Sequence, residues 1–242
     1  MRSPAAQNPP SIQEMFSAVA HRYDLANTVL SFGTHSLWKR KLIHESGLKV
    51  GDSILDCATG TGDLAFLFEK KLRKIQYGTV VEGQIVGSDF CEPMLEKARE
   101  KGLKKKSAVK FQWADATQLP YDDGQFDVVS ISFGIRNTRD TALTLTELGR
   151  VLKRGGSLLI LEFGQPLVPG FSKLYDFYSS SLIPRIGGWL SGQRDAYRYL
   201  QTSSSQYPSG NGFLNIGKAV ERFTEMKATP LCGGVVWLYC FR

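Results

Sequence analysis

The stretch Ser53-Ile-Leu-Asp-Cys-Ala-Thr-Gly-Thr-Gly-Asp63 joins a short apolar run to a glycine-rich turn. The apolar run predicts a buried strand that ends at Asp56. Residues 63–74 predict a helix, because their leucine and phenylalanine residues recur at helical spacing. Glycines between a strand and the N-terminus of a helix let the backbone approach a ligand closely. The stretch therefore predicts a strand, a ligand-binding turn and a helix in succession.

The same alternation continues along the chain. Apolar runs predict further strands at residues 84–88, 109–113, 126–132 and 157–163. Helical spacing predicts helices at residues 93–102 and 141–152. Strands that alternate with helices predict an α/β fold with a mostly parallel sheet. Ligands bind such sheets at the carboxyl ends of the strands, so the residues that close each strand are the candidates for a site.

Two segments fall outside this alternation. Residues 12–46 have the spacing of amphipathic helices, and residues 171–204 are rich in aromatic residues. We expect both to cover the ligand end of the sheet, as an N-terminal cover at residues 12–50 and an acceptor-side cover at residues 171–212. Aromatic residues of the second cover, Tyr178 among them, are candidates for an apolar channel, although core packing is the alternative.

The remaining segments are shorter. The polar residues 202–212 predict a loop by composition, and residues 233–241 predict a closing strand. Residues 1–11 are polar and proline-rich and predict a disordered leader. A chain of 242 residues suits one α/β domain, which we expect to span residues 12–242.

Composition restricts the classes of protein. The four cysteines form no CxxC pair and the chain has three histidines, so we expect neither a disulfide framework nor a metal site. Free thiols are typical of a reducing compartment, which predicts a cytoplasmic protein. No run of 18 apolar residues occurs, so the sequence predicts no membrane span. The formal net charge of +7 suits nucleic acid, an anionic membrane surface or an acidic substrate.

The glycine-rich turn suits two classes of ligand. Gly60-Thr-Gly-Asp-Leu-Ala65 matches the GxGxxA form of the dinucleotide fingerprint. Asp56, however, would repel a pyrophosphate at this position, whereas a zwitterionic amino acid with a sulfonium group tolerates a carboxylate. We therefore predict S-adenosylmethionine as the ligand, with Asp56 facing its amine directly or through water. A tight turn without a ligand is the structural alternative.

Two more carboxylates close predicted strands. Asp89 is placed to accept hydrogen bonds from both hydroxyls of a ribose, or else to cap the helix that follows. Asp115, followed by Ala116, is placed to accept a hydrogen bond from the exocyclic amine of adenine, or else to form a turn. Together with the glycine-rich turn, these positions predict a site for an adenosine-containing methyl donor.

These residues resemble the class I methyltransferase pattern, and within it the chain is similar to the ubiquinone/menaquinone biosynthesis C-methyltransferase family. The resemblance covers about residues 12–200. Its segments are Phe16-Ser-Ala-Val-Ala-His-Arg-Tyr-Asp24, Leu30-Ser-Phe-Gly-Thr-His-Ser-Leu-Trp-Lys39, Ile131-Ser-Phe-Gly-Ile-Arg-Asn137, Arg150-Val-Leu-Lys-Arg-Gly-Gly156, Leu161-Glu-Phe163 and Asp195-Ala-Tyr-Arg-Tyr-Leu200. The Phe-Gly-Ile-Arg-Asn and Tyr-Arg-Tyr-Leu segments are the most particular to this family, and the chain departs from its pattern after residue 204.

The resemblance implies a class I methyltransferase Rossmann-like fold: a mostly parallel seven-stranded sheet with helices on both faces and helical cover segments. It implies donor-binding roles for Gly60, Thr61, Gly62, Asp89, Asp115, Ala116 and Ser132. It also implies methylation of the ring of a polyprenylated quinol. We expect conversion of demethylmenaquinol to menaquinol, with a 2-polyprenyl-6-methoxy-benzoquinol of ubiquinone biosynthesis as the alternative acceptor.

Methyl transfer to a ring carbon requires a neighbouring hydroxyl to lose its proton, so the site must stabilise a phenolate. Arg136 is the best candidate for stabilising it, directly or by lowering the pKa of an ordered water, and Asn137 is a candidate for holding the other ring oxygen. Tyr23 is a candidate for contact with the acceptor, and His35 for a proton shuttle. The alternatives are an arginine that anchors its loop, a packing tyrosine and a structural histidine.

Three other functions are alternatives to this one. Amino-methylating enzymes of nucleic acids carry an Asn/Asp-Pro-Pro-aromatic segment after the fourth strand, where this chain has Ser132-Phe-Gly-Ile135, so we expect no nucleic-acid partner. A nicotinamide-dependent reductase and a non-catalytic quinone-binding scaffold are the weaker alternatives.

An insoluble prenyl tail predicts that basic cover segments contact the inner face of the membrane peripherally. The sequence leaves a homodimer open.

Overall fold

The computed structural model describes residues 12–20, 23–75, 83–168 and 194–242, together with positions 178, 181 and 185. Its α-helices are α1 (Ile12–Val19), α2 (Tyr23–Leu30), α3 (His35–Glu45), α4 (Asp63–Ile75), α5 (Glu92–Lys105), α6 (Thr141–Val151), α7 (Arg194–Gln206) and α8 (Asn211–Lys218). Its strands are β1 (Ile54–Cys57), β2 (Ile85–Asp89), β3 (Lys110–Trp113), β4 (Phe126–Ser132), β5 (Leu152–Phe163), β6 (Met226–Leu231) and β7 (Val236–Phe241). The predicted leader at residues 1–11 and most of residues 171–193 lie outside the described residues.

The seven strands form one sheet in the order β3-β2-β1-β4-β5-β7-β6. Strands β1 to β5 pair in parallel, and β7 runs antiparallel to both β5 and β6. This confirms the predicted α/β fold with a mostly parallel seven-stranded sheet. The strand order reverses between β1 and β4, and open α/β sheets bind ligands at the carboxyl ends of the strands beside such a reversal.

Helices cover both faces of the sheet, because successive strand residues enter opposite cores. Leu158 and Ile160 of β5 belong to a core that also contains buried residues of α6 and α8. Leu159 and Leu161 belong to a second core that contains buried residues of α3 and α4. A strand that is buried on both faces reads as a continuous apolar run, which is why the sequence located this strand.

The predicted loop at residues 202–212 is wrong over most of its length. Helix α7 continues to Gln206, and α8 begins at Asn211. The hydroxyls of Ser203, Ser204 and Ser205 each donate a hydrogen bond to the carbonyl three residues earlier. The serine side chains are therefore satisfied inside the helix, so their composition does not end it.

Strand β6 was not predicted. It contains Pro230, and most of its residues are only half-buried, so it lacks the apolar run of a central strand. A proline is compatible with a strand at the edge of a sheet, where one row of backbone groups needs no partner, and β6 is such an edge strand. The closing strand predicted at residues 233–241 is confirmed as β7, which begins at Val236 after a 3₁₀ turn.

A close approach between two loops fixes the shape of the sheet's carboxyl edge. Ala58 follows β1 and Gly134 lies just beyond β4, and a Cβ placed on Gly134 would overlap the Ala58 Cβ. Gly134 has an ordinary φ of −116°, so a steric contact, not a backbone conformation, excludes a side chain there. The two loops therefore leave no room for even one more methyl group.

Exchanging the two side chains tests this contact. We expect Gly134→Ala to lower the free energy of unfolding by about 1–3 kcal/mol, as overpacking does. Adding Ala58→Gly should restore most of the loss, because it removes the opposing methyl group and suits the φ of 51° at this position. Urea denaturation of both single variants and the double variant measures the coupling. Gly102→Ala, where the nearest atom is 3.6 Å away, is the control, and additive effects at Ala58 and Gly134 would contradict the prediction.

Candidate active site

A cavity opens at the carboxyl ends of β1 and β4. The space between its walls is about 1200 Å³ when the part open to solvent is counted. Its walls include the β1 turn at residues 58–61, Ser132 at the end of β4, and residues of α2, α3 and α7. The N-terminal helices and α7 therefore cover the ligand end of the sheet, where the sequence placed cover segments.

Two residues with left-handed backbone line this cavity. Ala58, with a φ of 51°, directly follows β1, and Phe133, with a φ of 56°, directly follows β4. Non-glycine residues rarely adopt this conformation, and they keep it only where the surrounding structure holds them. The strain lies at the ends of the two strands between which the strand order reverses.

Asp56 supports the β1 turn through hydrogen bonds to its carboxylate. It is 1% exposed, and its carboxylate accepts hydrogen bonds from Thr59 Oγ1 at 2.7 Å and Ser130 Oγ at 2.8 Å. Burial raises the pKa of Asp56 to about 6, against the effect of both hydrogen bonds. Asp56 therefore ties the β1 turn to β4, and its expected contact with the donor amine, directly or through water, stays a prediction.

Asp89 lies beside the same turn. Its Oδ2 accepts a hydrogen bond from the Gly60 N–H at 2.8 Å, and its Oδ1 accepts one from the Cys91 N–H at 2.9 Å. Burial raises the pKa of Asp89, although backbone hydrogen bonds oppose the shift. The backbone N–H of Phe90 also hydrogen bonds to this carboxylate, which still has acceptor capacity for a ligand while it holds the glycine-rich turn in place.

Thr61 connects the turn to the N-terminal cover. Its hydroxyl donates to Asp24 Oδ1 at 2.6 Å and accepts from Lys101 Nζ at 2.8 Å. Lys101 also pairs with Asp24, and with Asp63 at 3.0 Å. Burial opposes ionisation of Asp63, but Lys39 and Lys101 outweigh it and lower the pKa of the Asp63 carboxyl group. This network fastens α2 over the turn.

The other residues predicted to bind the methyl donor are Gly62, Asp115 and Ala116. Gly62 has a φ of 85°, and a Cβ there would lie 2.8 Å from the ring of Phe111, so packing against β3 also explains this glycine. Asp115 accepts hydrogen bonds from Thr117 and pairs with Arg139 at 2.9 Å. Ala116 is half-buried beside it. The backbone N–H of Ala114, next to Asp115, donates to the carbonyl of Asp89 at 3.1 Å, so the ends of β2 and β3 lie side by side.

Arg136 lines the cavity from a 3₁₀ turn, Ile135–Asn137, that follows β4. Its side chain is 2% exposed and pairs with Glu162 of β5, which is 1% exposed. The same guanidinium donates to the carbonyl of Phe133 at 2.9 Å. The Nε atom of Arg136 is buried and has no hydrogen-bond partner among the described residues, so one N–H donor of this side chain is unsatisfied.

Asn137 contacts the second cover segment. Its Oδ1 accepts a hydrogen bond from the hydroxyl of Tyr199, in α7, at 3.2 Å. The two sequence segments most particular to the family therefore meet in space. Tyr23 begins α2, but its side chain lies outside the described residues.

Aromatic rings form one wall of the cavity. Trp38, Phe133 and Phe163 all line it. The rings of Phe133 and Phe163 have their centroids 4.5 Å apart, and Trp38 lies 6.1 Å from Phe133. The Arg136 guanidinium lies 5.3 Å from the centroid of the Phe163 ring. This wall offers a planar ligand both apolar contact and ring stacking.

The residues present fit the predicted donor. A methionine moiety carries a carboxylate and an ammonium, so its site needs groups of both signs. Lys39 and Asp63 both line the cavity beside the turn, with Nζ and Oδ2 3.6 Å apart. Lys39 is therefore part of the cavity wall, and its neighbours Arg40 and Lys41 are exposed. Among the described residues, no group of three or more His, Cys, Asp or Glu side chains is arranged to hold a metal ion.

Sequence reasoning missed several residues of this site, among them Asp24, Glu162 and Tyr199. Each acts through a partner far away in the chain, at separations of 37, 26 and 62 residues. All three lie in segments that carried the family resemblance, which was the available signal. Their partners could not be inferred without the fold.

Comparisons with known proteins agree with this geometry. The ubiE/COQ5 methyltransferase family model matches residues 5–240. The chain is 48% identical to the ubiquinone/menaquinone biosynthesis C-methyltransferase UbiE of Bdellovibrio bacteriovorus, over 96% of this chain and 95% of that protein. It is 37% identical to the UbiE of Idiomarina loihiensis, over 94% and 88%. A SAM-dependent methyltransferase structure from Thermotoga maritima shares the fold, with a TM-score of 0.61 and 16% identity over 94% of this chain and 97% of that one.

Breaking the buried ion pair between Arg136 and Glu162 tests how much it contributes to stability. Glu162→Gln would leave the Arg136 guanidinium buried beside a neutral amide, so we expect the free energy of unfolding to fall by about 3–5 kcal/mol. Asp123→Asn is the control, because Asp123 is 81% exposed in its pair with Arg150 and should contribute less than about 1 kcal/mol. Chemical denaturation measures both. A loss at Glu162 no larger than that of the control would show that the pair does not stabilise the loop.

Proposed function

The chain belongs to the ubiE/COQ5 methyltransferase family, and from this membership we propose that it methylates a ring carbon of a polyprenylated quinol. It is an S-adenosylmethionine-dependent methyltransferase. One observation carries the proposed acceptor: a single cavity joins the donor turn at residues 58–61 to an aromatic wall and to Arg136. A donor and a planar acceptor can therefore meet inside one enclosure, as an in-line displacement requires.

Residues at the strand ends would hold the donor, which supplies an electrophilic methyl group when bound. We assign Asp89 to the ribose hydroxyls, and Asp115 with Ala116 to the adenine. The turn containing Gly60, Thr61 and Gly62, with Ser132 and Lys39 beside it, would hold the methionine moiety. Asp56 would also act indirectly, by positioning the turn through Thr59 and Ser130.

Arg136 would stabilise the oxygen of the acceptor as it becomes negative. Since Glu162 neutralises the guanidinium, the contribution is a directed hydrogen bond from an N–H of Arg136, and a diffuse positive charge plays little part. A preorganised hydrogen-bond donor of this kind stabilises mainly the transition state. Asn137, steadied by Tyr199, would hold the second ring oxygen, and Tyr23 would contact the ring.

We propose demethylmenaquinol as the acceptor, which gives menaquinol. A methoxybenzoquinol of ubiquinone biosynthesis is the second candidate, because the names of the relatives include both quinones. The two acceptors share the polyprenyl tail and differ by one fused ring.

Methyl transfer to the two rings tests this proposal. Purified protein with methyl-labelled S-adenosylmethionine should label a reduced short-tail naphthoquinol faster than the matching methoxybenzoquinol.

Asp89→Ala should lower donor affinity in calorimetry by about tenfold or more, because hydrogen bonds to a charged carboxylate contribute about 1.5–3 kcal/mol each.

The outcomes separate the claims. Faster labelling of the benzoquinol would replace the first acceptor by the second. Donor binding without transfer to either ring would overturn the quinol proposal. Unchanged donor affinity in a folded Asp89→Ala variant would overturn the ribose assignment.

We further propose that the protein works in the cytoplasm, at the inner face of the membrane. No helix in the described ranges is both long and apolar enough to cross a membrane. Leu25 and Val29 are exposed on one side of α2, and Phe32, which follows that helix, is 81% exposed. The rings of Phe32 and Tyr178 have their centroids 5.8 Å apart, and Tyr178 lines the cavity. This apolar stripe, Leu25, Val29 and Phe32, therefore continues into the cavity, as a prenyl tail entering from a bilayer would require.

Vesicle sedimentation tests the stripe. We expect the double variant Leu25→Ser/Phe32→Ser to bind vesicles at least about tenfold more weakly, because each large apolar side chain contributes about 1.5–3 kcal/mol when buried. Leu103→Ser is the control, since Leu103 is as exposed as Phe32 but lies on α5. Binding to anionic vesicles should also decline as salt is raised, because salt screens the attraction between anionic lipids and the basic residues of the cover segments. An equal loss in the control variant would contradict the stripe, and equal binding to neutral and anionic vesicles would contradict the electrostatic part.

A further inference from the structure

His35 is the first residue of α3 and lines the same cavity as Arg136 and Ser132. Its ring atom Nδ1 lies 2.8 Å from the hydroxyl oxygen of Ser31. The Ser31 hydroxyl in turn lies 2.6 Å from the backbone carbonyl of Asn27, to which it donates. Ser31 and Asn27 line the cavity as well.

These two contacts decide which ring nitrogen of His35 carries the proton. A serine hydroxyl has one hydrogen, and Ser31 uses it on the Asn27 carbonyl, which can only accept. Ser31 Oγ must therefore accept from His35, so the hydrogen is on Nδ1. In the neutral ring Nε2 then carries the lone pair, and Nε2 has no hydrogen-bond partner among the described residues. Since His35 lines the cavity, this arrangement leaves a basic nitrogen on a cavity-lining side chain.

The surroundings favour the neutral ring. Burial, followed by the charge of Lys39, lowers the pKa of His35, and weaker attraction from Asp63 and Asp24 acts in the opposite direction. Arg136 is the other charged residue of the described cavity wall, and Glu162 neutralises it. A histidine with a lowered pKa is unprotonated at neutral pH and ready to accept a proton.

We propose that His35, through Nε2, is the general base that removes the proton from the ring hydroxyl of the acceptor. This inference rests on the proposed function, which needs a phenolate but identifies no base. The hydroxyl proton moves to Nε2 and leaves the electron pair on the ring. The ring carbon then forms a bond to the methyl group while the methyl–sulfur bond breaks, and its electron pair returns to sulfur.

The remaining proton balance follows. The methylated ring carbon loses its hydrogen as a proton when the ring becomes aromatic again, and the ring oxygen regains one. One proton is released in each cycle, equal to the positive charge that the sulfonium loses. Arg136 cannot serve as the base because its guanidinium stays protonated, so the two residues divide the work: Arg136 stabilises the oxygen and His35 takes its proton.

The tautomer can be tested without substrate. The chain has three histidines, so a long-range ¹H–¹⁵N spectrum of the rings is simple, and loss of one set of signals in His35→Asn assigns His35. At pH 8 we expect the pattern of a ring protonated at Nδ1 and bare at Nε2. Ser31→Ala should move the ring towards the other tautomer. A wild-type His35 protonated at Nε2 would overturn the proposal.

Kinetics test the catalytic role. His35→Asn keeps an amide N–H near the position of Nδ1 and removes Nε2, so we expect turnover at pH 7 to fall by about 10²–10⁴ with donor affinity within about twofold of wild type. The deficit should shrink as pH rises, because the quinol then ionises unaided, and a purely structural role would not give that pH profile. His44→Asn is the control, since the His44 side chain is 82% exposed.

The outcomes distinguish this inference from the function beneath it. Wild-type transfer with an unaffected His35→Asn would overturn the base and leave the function intact. A deficit that is the same at all pH values would also overturn the base, since it would indicate a structural defect. Absence of transfer in the wild type would overturn the proposed function itself, whereas the tautomer would still be decided by the spectrum.

Discussion

Buried carboxylates organise the ligand edge of this sheet. Asp56 of β1, Asp89 of β2 and Glu162 of β5 are all withdrawn from water, where an unsatisfied charge would be strongly destabilising. Each therefore binds donors from a neighbouring loop or strand: Asp56 from Thr59 and Ser130, Asp89 from the Gly60 N–H, and Glu162 from Arg136. The need to satisfy three charges fixes the loops that form the cavity.

This constraint explains why strained backbone persists at the site. Ala58 and Phe133 both have left-handed conformations, and each lies within a few residues of one of these hydrogen-bonded anchors. The overlap that a Cβ on Gly134 would make with Ala58 prevents the loops from relaxing past each other. Hydrogen bonds to the buried carboxylates and the contact between Ala58 and Gly134 both hold these loops. The loops therefore keep reactive groups in place before a ligand arrives.

The sequence predicted the fold well because buried parallel strands read as apolar runs and their helices show helical spacing. It failed where tertiary context overrides composition, as in the serine-rich end of α7, and where an edge strand such as β6 lacks an apolar run. In the candidate site, the strand-end residues could be located, since strand ends converge in any such sheet. The partners of Arg136 and Thr61 could not, because Glu162 and Asp24 reach them only through the fold.

The pairing of Arg136 with Glu162 also suits the proposed chemistry. The donor is a sulfonium cation, and an unpaired guanidinium in the same cavity would repel it. A neutralised guanidinium keeps its N–H donors without that repulsion, and a neutral histidine adds basicity without adding charge. As the hydroxyl proton reaches His35, the acceptor ring becomes negative and attracts the sulfonium, while the N–H donors of Arg136 and the new imidazolium of His35 stabilise the negative oxygen. The arrangement thus reserves electrostatic stabilisation for the reacting state, which is where it accelerates a reaction.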